Sequence, residues 1–194
     1  PGHNTWTGPD LAKAKQLVQQ SGTAGMKVVV NGTNDQVGKA LVEQMISDLD
    51  AIGYKATPQL LSMSVQYPFV QNSANSGKWN VGWSAWYQDY PAQSDFLNVL
   101  LGCGTIHPNS DASPNIAAFC DKSIQSKIDQ AESMEATDPA GAAKLWTEID
   151  HAETDAAPWV DMYNPKQIDF LSSNVHGYLW NPQWYILIDR LWLS

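Results

Sequence analysis

Basic residues are scarce in this chain: 11 Lys and Arg stand against 20 Asp and Glu in 194 residues, for a formal charge of −9. No Lys or Arg cluster occurs anywhere, so the chain has no means of neutralising a phosphate backbone, and nucleic acid is excluded as a partner. Long apolar runs are also missing. The longest stretch without a charged residue, Ala56 to Gly77, is broken by Pro58, Pro68 and many Ser, Gln and Asn residues, a composition that bilayer hydrocarbon does not accept. There is no internal repeat and no low-complexity tract. The chain opens Pro1-Gly2-His3-Asn4, without the basic and apolar stretches of a targeting segment. Such a signal is therefore expected to have been removed, or the chain to be an excised piece.

Patterns for catalysis and metal binding are absent as well. Gly82-Trp83-Ser84-Ala85-Trp86 lacks the second Gly of a nucleophile elbow. No Gly-rich loop ends in Lys-Ser or Lys-Thr. His3, His107, His151 and His176 are scattered without metal-ligand spacing, so neither a metal nor a cofactor is expected. Glu148, Asp150, Glu153 and Asp155 gather near the end of one predicted helix, where a solvated acidic face is the ordinary reading.

What is present is an apolar and aromatic chain: 43% of residues are hydrophobic, only 16% are charged, and nine are Trp. That content excludes disorder. The length allows one or two domains, and a domain of about 150 residues buries roughly 70% of its unfolded surface, enough for a core without staples. The two cysteines, Cys103 and Cys120, flank a segment rich in Asn, Ser, Pro and Ala that reads as a surface loop. A disulfide closing it is worth about 3 kcal/mol and points to an oxidising, extracytoplasmic setting; two unrelated buried thiols are the alternative.

Apolar periodicity orders the elements. Thr7-Gly8-Pro9-Asp10 starts a helix with Pro in its first turn and a stripe of Leu11, Ala14, Leu17 and Val18, stopped by Gly22. Met26 to Val30 reads as a buried strand. Asn31 to Asn34 then turns into a helix with Val37, Leu41, Met45 and Leu49 on one face, ended by Gly53. Tyr54 to Leu61 is a second strand, and the crossover is long enough for parallel pairing in an α/β layer. A short helix over Ser64 to Asn72 tolerates Pro68 only near its first turn. Trp79 to Ser84 alternates like a strand, with Trp79 and Trp83 on its core face, and leads into Ala85 to Pro91. In open α/β sheets ligands sit at the carboxyl ends of strands, which marks that segment. A helix over Ser94 to Leu101, an antiparallel pair over Asp121 to Met134 and Pro139 to Asp155, and a strand over Trp159 to Tyr163 complete the pattern. From Gln167 onward the chain is aromatic, with Pro and Asn at its breaks.

The run Gly77-Lys78-Trp79-Asn80-Val81-Gly82-Trp83-Ser84-Ala85-Trp86-Tyr87-Gln88-Asp89-Tyr90-Pro91 resembles the signature of the family 5 extracellular solute-binding proteins, the dipeptide and oligopeptide receptors of ABC importers. In that family an aromatic-led strand runs into Trp-x-x-Asp-Tyr, commonly Pro, and a short helix like Ser94-Asp95-Phe96-Leu97. Pro9 to Leu17, Leu49 to Lys55, the Asp138-Pro139 helix start and Ala157-Pro158-Trp159 are similar to further parts of the family pattern, in order, over nearly the whole chain. The cysteine pair with Phe119-Cys120-Asp121 is similar to that of actinobacterial members. Asn80 departs from the pattern, since many relatives carry Asp there.

The resemblance implies an α/β, periplasmic-binding-protein-like lobe with a mixed, mostly parallel sheet flanked by helices. Members are usually more than twice this long, so residues 1–173 would form the C-terminal ligand-binding lobe, and 174–194 a return segment made to contact a missing N-terminal lobe. The implied function is that of a substrate-binding component, not an enzyme. It would capture a small peptide between two lobes and deliver it to an ABC permease from the cell surface or periplasm, the parent being lipid-anchored. Oligosaccharide or metal-chelate ligands within the family, or a secreted Trp-rich glycan-binding module outside it, are the alternatives. The Asp of Trp-x-x-Asp-Tyr pairs with a peptide's free α-amino group in peptide-binding members, which implies that role for Asp89. A carboxylate in a closing cleft gains strength as water leaves; a turn-forming role before Pro91 is the competing account. Trp86, Tyr87 and Tyr90 are the implied neighbours of the ligand.

Overall fold

The structure, a computed structural model, describes residues 8–194; His3 and Thr7 lie outside them. Aspartate starts four of the helices by the same device, a side-chain oxygen that accepts the free N–H groups of the first turn. Asp10 caps α1 (Leu11–Gln20) through Lys13, and Asp35 caps α2 (Gln36–Ile52) through Val37 and Gly38. Asp121 caps α5 (Lys122–Met134) through Ser123 and Ile124, and Asp138 caps α6 (Pro139–Ala156) through Gly141. Hydrogen bonds from the Ser123 hydroxyl and the Ile124 and Ser123 N–H groups hold the Asp121 carboxyl below its ordinary value. Pro9 thus precedes the α1 cap and does not enter the first turn. Of the expected α1 stripe only Val18 is buried, while Leu11 and Leu17 are exposed.

β1 (Lys27–Thr33) is the centre of a three-stranded sheet, with β2 (Lys55–Leu61) on one side and β3 (Val81–Gly82) on the other. Both pairings are parallel, Val30 facing Pro58 in β2 and Val81 in β3. Pro58 has no N–H to donate and is admissible because β2 is an edge strand. The expected turn at Asn31 does not form there. β1 continues to Thr33, and Asn31 and Thr33 are buried. Parallel pairing requires a crossover, which α2 supplies. Its buried line is Gly38 and Val42, one position on from the expected phase, and Val37 is 55% exposed. Gly53 ends α2 at φ +114°, a left-handed cap that glycine adopts without strain.

α3 (Met63–Gln71) follows, and Pro68 lies inside it, beyond the first turn where it was expected. Of the expected strand from Trp79 to Ser84 only Val81 and Gly82 pair. Trp79 and Trp83 are half-buried, not core.

The second half of the chain packs as helices. α4 (Ser94–Leu101) lies against α5 and α6. Ile124, Ile128, Ala131, Ala142, Trp146 and Ile149 form the buried cluster, with Leu97 and Phe119 against it. α5 and α6 run in opposite directions, as the links from Glu135 to Trp146 and from Lys127 to Glu148 require. The Trp146 ring is 2% exposed, and its Nε1 donates to Glu135 Oε1 at 3.0 Å. Cys103 and Cys120 are joined as a disulfide.

Trp159 to Tyr163 is not a strand. It finds no partner edge among the described residues, and Val160, Met162 and Tyr163 stay exposed. Beyond it the chain pairs with itself in two short antiparallel ladders. β4 (Val175–His176) faces β7 (Trp192–Leu193), and β5 (Trp180–Asn181) faces β6 (Tyr185–Ile186).

Candidate functional site

The carboxyl end of β3 is underlain by a polar network. Gln66 of α3, 2% exposed, donates through Nε2 to Asn31 Oδ1 at 3.0 Å and to the Trp83 carbonyl at 3.4 Å. Asn31 Nδ2 donates to Gln59 Oε1 at 3.0 Å, so the network joins β1, β2 and the residue that follows β3 to α3. Buried amides paired in this way fix a single geometry, because breaking one bond strands the others in a low dielectric. A side chain on Gly32 would run into Val42 and the Trp83 ring, so this position must stay bare for the indole to lie over β1. Asn80 ties β3 to β1 twice: its N–H donates to the Val29 carbonyl at 3.0 Å, and its Oδ1 accepts from Val29 N at 2.8 Å. The side-chain oxygen thus prolongs the ladder, a bond that Asp would accept equally, so the departure at Asn80 has no structural explanation here.

Ala85 to Pro91 leaves the sheet without regular structure and is held by side chains. The Tyr67 hydroxyl donates to the Ala85 carbonyl at 3.3 Å and accepts from Ala85 N at 3.2 Å. Asp95, in the first turn of α4 and fully buried, accepts the Asp89 N–H through Oδ2 at 2.7 Å. The backbone of Asp89 is therefore fixed, whereas its carboxylate accepts no hydrogen bond among the described residues and is exposed. Tyr87 and Tyr90 are 63% and 41% exposed on the same loop. Trp86 is half-buried, with an indole N–H that has no described acceptor.

The segment after residue 174 reaches this loop. Gln183 Nε2 donates to the Asp89 carbonyl, and the rings of Tyr87 and Tyr185 meet edge to face at 6.1 Å between centroids. Sequence reasoning missed Asp95, Asn31, Gln59, Gln66, Tyr67, Gln183 and Tyr185 as contributors. Asp95 had the strongest available signal, an acid inside an otherwise apolar run at a helix start. Asn31 read as a turn residue, and Gln66 and Gln183 carried no signal. Beside the loop lies a shallow depression of about 380 Å³ lined by Gln88, Pro91, Ala92 and Gln93. None of Trp86, Tyr87, Asp89 and Tyr90 lines it, so it flanks the expected site.

Solved structures decide the fold. The clavulanic acid biosynthesis oligopeptide binding protein 2 superposes with a TM-score of 0.85 at 20% identity, covering 100% of this chain and 37% of that one. The chain has a periplasmic-binding-protein-like fold. The Helicobacter pylori periplasmic binding protein DppA, solved with the peptide STSA, gives a TM-score of 0.71 at 17% identity over 95% of this chain and 34% of its own. No family model matches the chain. Among curated proteins, di/tripeptide-binding protein 4 of Pseudomonas aeruginosa is 27% identical over 177 residues, 89% of this chain and 32% of the relative. Heme-binding protein A of Haemophilus influenzae is 25% identical over 183 residues, 91% of this chain and 31% of the relative. This chain thus spans about a third of the length of each. In a fold of this kind, the loop from Ala85 to Pro91 occupies the strand-end position where open α/β sheets take ligands.

Proposed function

We propose that the chain is the C-terminal ligand-binding lobe of a peptide receptor serving an ABC importer, with residues 1–173 as the lobe and 174–194 as a return segment to an N-terminal lobe. One observation carries the reading: the Asp89 carboxylate is exposed and unpaired, while the buried Asp95 holds the Asp89 backbone in place. A carboxylate so presented pairs with the α-ammonium of a peptide. It gains strength when a second lobe closes and excludes water, and it rejects peptides whose amine is blocked. Trp86, Tyr87 and Tyr90 then supply apolar walls, and main-chain hydrogen bonds accept varied sequences. Hinge closure presents the loaded receptor to a membrane permease. The Cys103–Cys120 bridge supports an extracytoplasmic setting; a lipid-anchored parent among the actinobacterial members belongs to the same proposal and rests on the motif resemblance alone.

The test uses the two-lobed parent and compares trialanine with N-acetyl-trialanine. Asp89→Asn is expected to weaken trialanine about 30-fold or more, as loss of a charge-assisted bond in a closed site would, and to leave the acetylated peptide within about 3-fold. Equal loss for both peptides overturns the amine-anchor role. A second reading, a metal-chelate ligand, is favoured by the heme-binding relative. A saturable Soret shift on adding hemin, with no response to peptides, would replace the first reading by this one.

A further inference from the structure

The backbone at Asp89 is held on both sides by side chains of two distant elements. Its N–H is accepted by the buried Asp95 of α4 at 2.7 Å, and its carbonyl accepts from Gln183 Nε2, 94 residues further along the chain. A peptide group is planar, so a bond to the N–H fixes the plane before Cα and a bond to the carbonyl fixes the plane after it. With both planes held, φ and ψ of Asp89 are set, and with them the direction of Cα–Cβ. Asp95 alone would leave ψ free. The carboxylate accepts no hydrogen bond among the described residues, so its aim comes from the backbone.

The donor is itself held. Gln183 lies in the turn of the β5–β6 hairpin, where Asn181 Oδ1 accepts the N–H groups of Gln183 and Trp184 at 2.8 and 2.9 Å, and the pairs Trp180 with Ile186 and Asn181 with Tyr185 close the ladder. Tyr185 leaves the turn at φ +58°, in the left-handed region that a bulky aromatic rarely adopts. In that conformation its ring meets the ring of Tyr87, two residues before Asp89. Backbone strain of this kind collects where the surroundings demand one geometry. Among the described hydrogen bonds, Gln183 to Asp89 is the one that ties residues 180–186 to the lobe, so the hairpin meets the lobe at the strand-end loop.

We propose that the β5–β6 hairpin is a clasp on the strand-end loop and that Gln183 is a positioning residue, setting the direction in which the Asp89 carboxylate meets the ammonium of a peptide. The inference rests on the reading of Asp89 as the amine anchor, and it makes the segment after residue 174 part of the binding apparatus. Aim matters because hydrogen bonds weaken steeply when bent, and a group held beforehand in its bound geometry costs less to order. The test has two arms. In the two-lobed parent, Gln183→Met keeps a side chain of similar length and removes its donor. It is expected to weaken trialanine about 5-fold and to leave N-acetyl-trialanine within about 2-fold, whereas a merely structural contact would weaken both peptides alike. In the peptide-free 194-residue chain, hydrogen exchange at the Asp89 N–H should quicken at least about 5-fold in Gln183→Met, because the bond to Asp95 opens more readily once the carbonyl is released. Equal loss for both peptides, or no loss, overturns the positioning role, and so does unchanged exchange at Asp89. If Asp89→Asn itself leaves the preference for the free amine intact, the anchor reading fails, and the exchange arm then decides by itself whether the hairpin is a clasp: faster exchange upholds it and unchanged exchange removes it.

Discussion

Two carboxylates, both without solvent contact, show how the same burial serves different ends. Asp95 has one oxygen on the Asp89 N–H, and its role is to hold a loop. Glu153 has neither oxygen paired, and desolvation, with the Asp150 charge adding to it, pushes its carboxyl up to about 8 from 4.5. The acidic face read from the sequence is therefore solvated at Glu148, Asp150 and Asp155 but not at Glu153, which turns toward α4 and the core. A hollow of about 270 Å³ lies beside it, and the other charged groups lining that hollow are Asp150 and Asp161, since α4 contributes only Phe96 and leucines there. Because the folded value lies above the unfolded one, the unfolded chain loses this proton first as pH rises. The folded state binds more protons between about 4.5 and 8, and stability falls with pH across that window. At about 1.4 kcal/mol for each tenfold change in proton affinity, the loss amounts to a few kcal/mol. Urea unfolding at about pH 5 and about pH 8 should show this loss in the parent chain and a much smaller one in Glu153→Gln, with the variant the more stable at the upper pH. Parallel profiles would mean that the carboxylate reaches water.

Elements were legible in the sequence wherever a local signal specified them. Asp10, Asp121 and Asp138 announced helix starts, Gly53 a helix end, and the β-branched run from Met26 to Val30 a buried strand. What failed depended on neighbours. Asn31 and Gly32 carry turn chemistry, yet the Gln59 and Gln66 amides pay for the burial of Asn31 inside a strand. Trp159 to Tyr163 has strand-forming residues and no edge to pair with among the described residues. At the site, the Trp86 to Tyr90 loop was visible through its motif, but Asp95, Gln66 and Gln183 act through tertiary contacts that no local pattern encodes. The loop between Cys103 and Cys120 mixes the two cases. Its disulfide followed from composition, whereas its internal order comes from Asn115, 2% exposed, which donates to the carbonyls of Gly102 and Phe119 at 2.9 and 2.8 Å. Chain-entropy arguments assign about 3 kcal/mol to closing a loop of this size. Replacing both cysteines by Ala is expected to cost about 2 kcal/mol in urea unfolding, below the full figure because the Asn115 bonds retain part of the loop. A loss below about 0.5 kcal/mol would show that those bonds order the loop without the bridge.

At the scale of the molecule the opening composition, few charges and nine Trp, resolves into two regions with different demands. The sheet with its helices buries Val30, Val42, Trp146 and Ile149, and has the pairing and caps of a self-sufficient layer. From Val160 to the end many aromatics and aliphatics lie outward: Val160 is 80% exposed, Phe170 92%, Trp184 68% and Trp192 57%, the last stacked on His176 at 4.4 Å, while Leu171, Val175, Tyr185, Ile186, Leu187 and Leu191 are half-buried. An apolar surface on this scale marks a contact face, in keeping with a segment made to meet a second lobe. Among the described residues β4 pairs only with β7 and β5 only with β6, and the side-chain links described to the strand-end loop are Gln183 to Asp89 and Tyr87 to Tyr185. If 174–194 is a return segment and not part of the lobe's core, a chain ending at Ser173 should retain a cooperative thermal transition. In a domain of this size about 1 kcal/mol moves Tm by roughly 2–4 °C, and one exposed hydrogen bond with one aromatic edge contact is worth about that much. The expected shift is therefore under about 5 °C. Loss of the cooperative transition on truncation would instead make the segment part of the core and remove the boundary at residue 173.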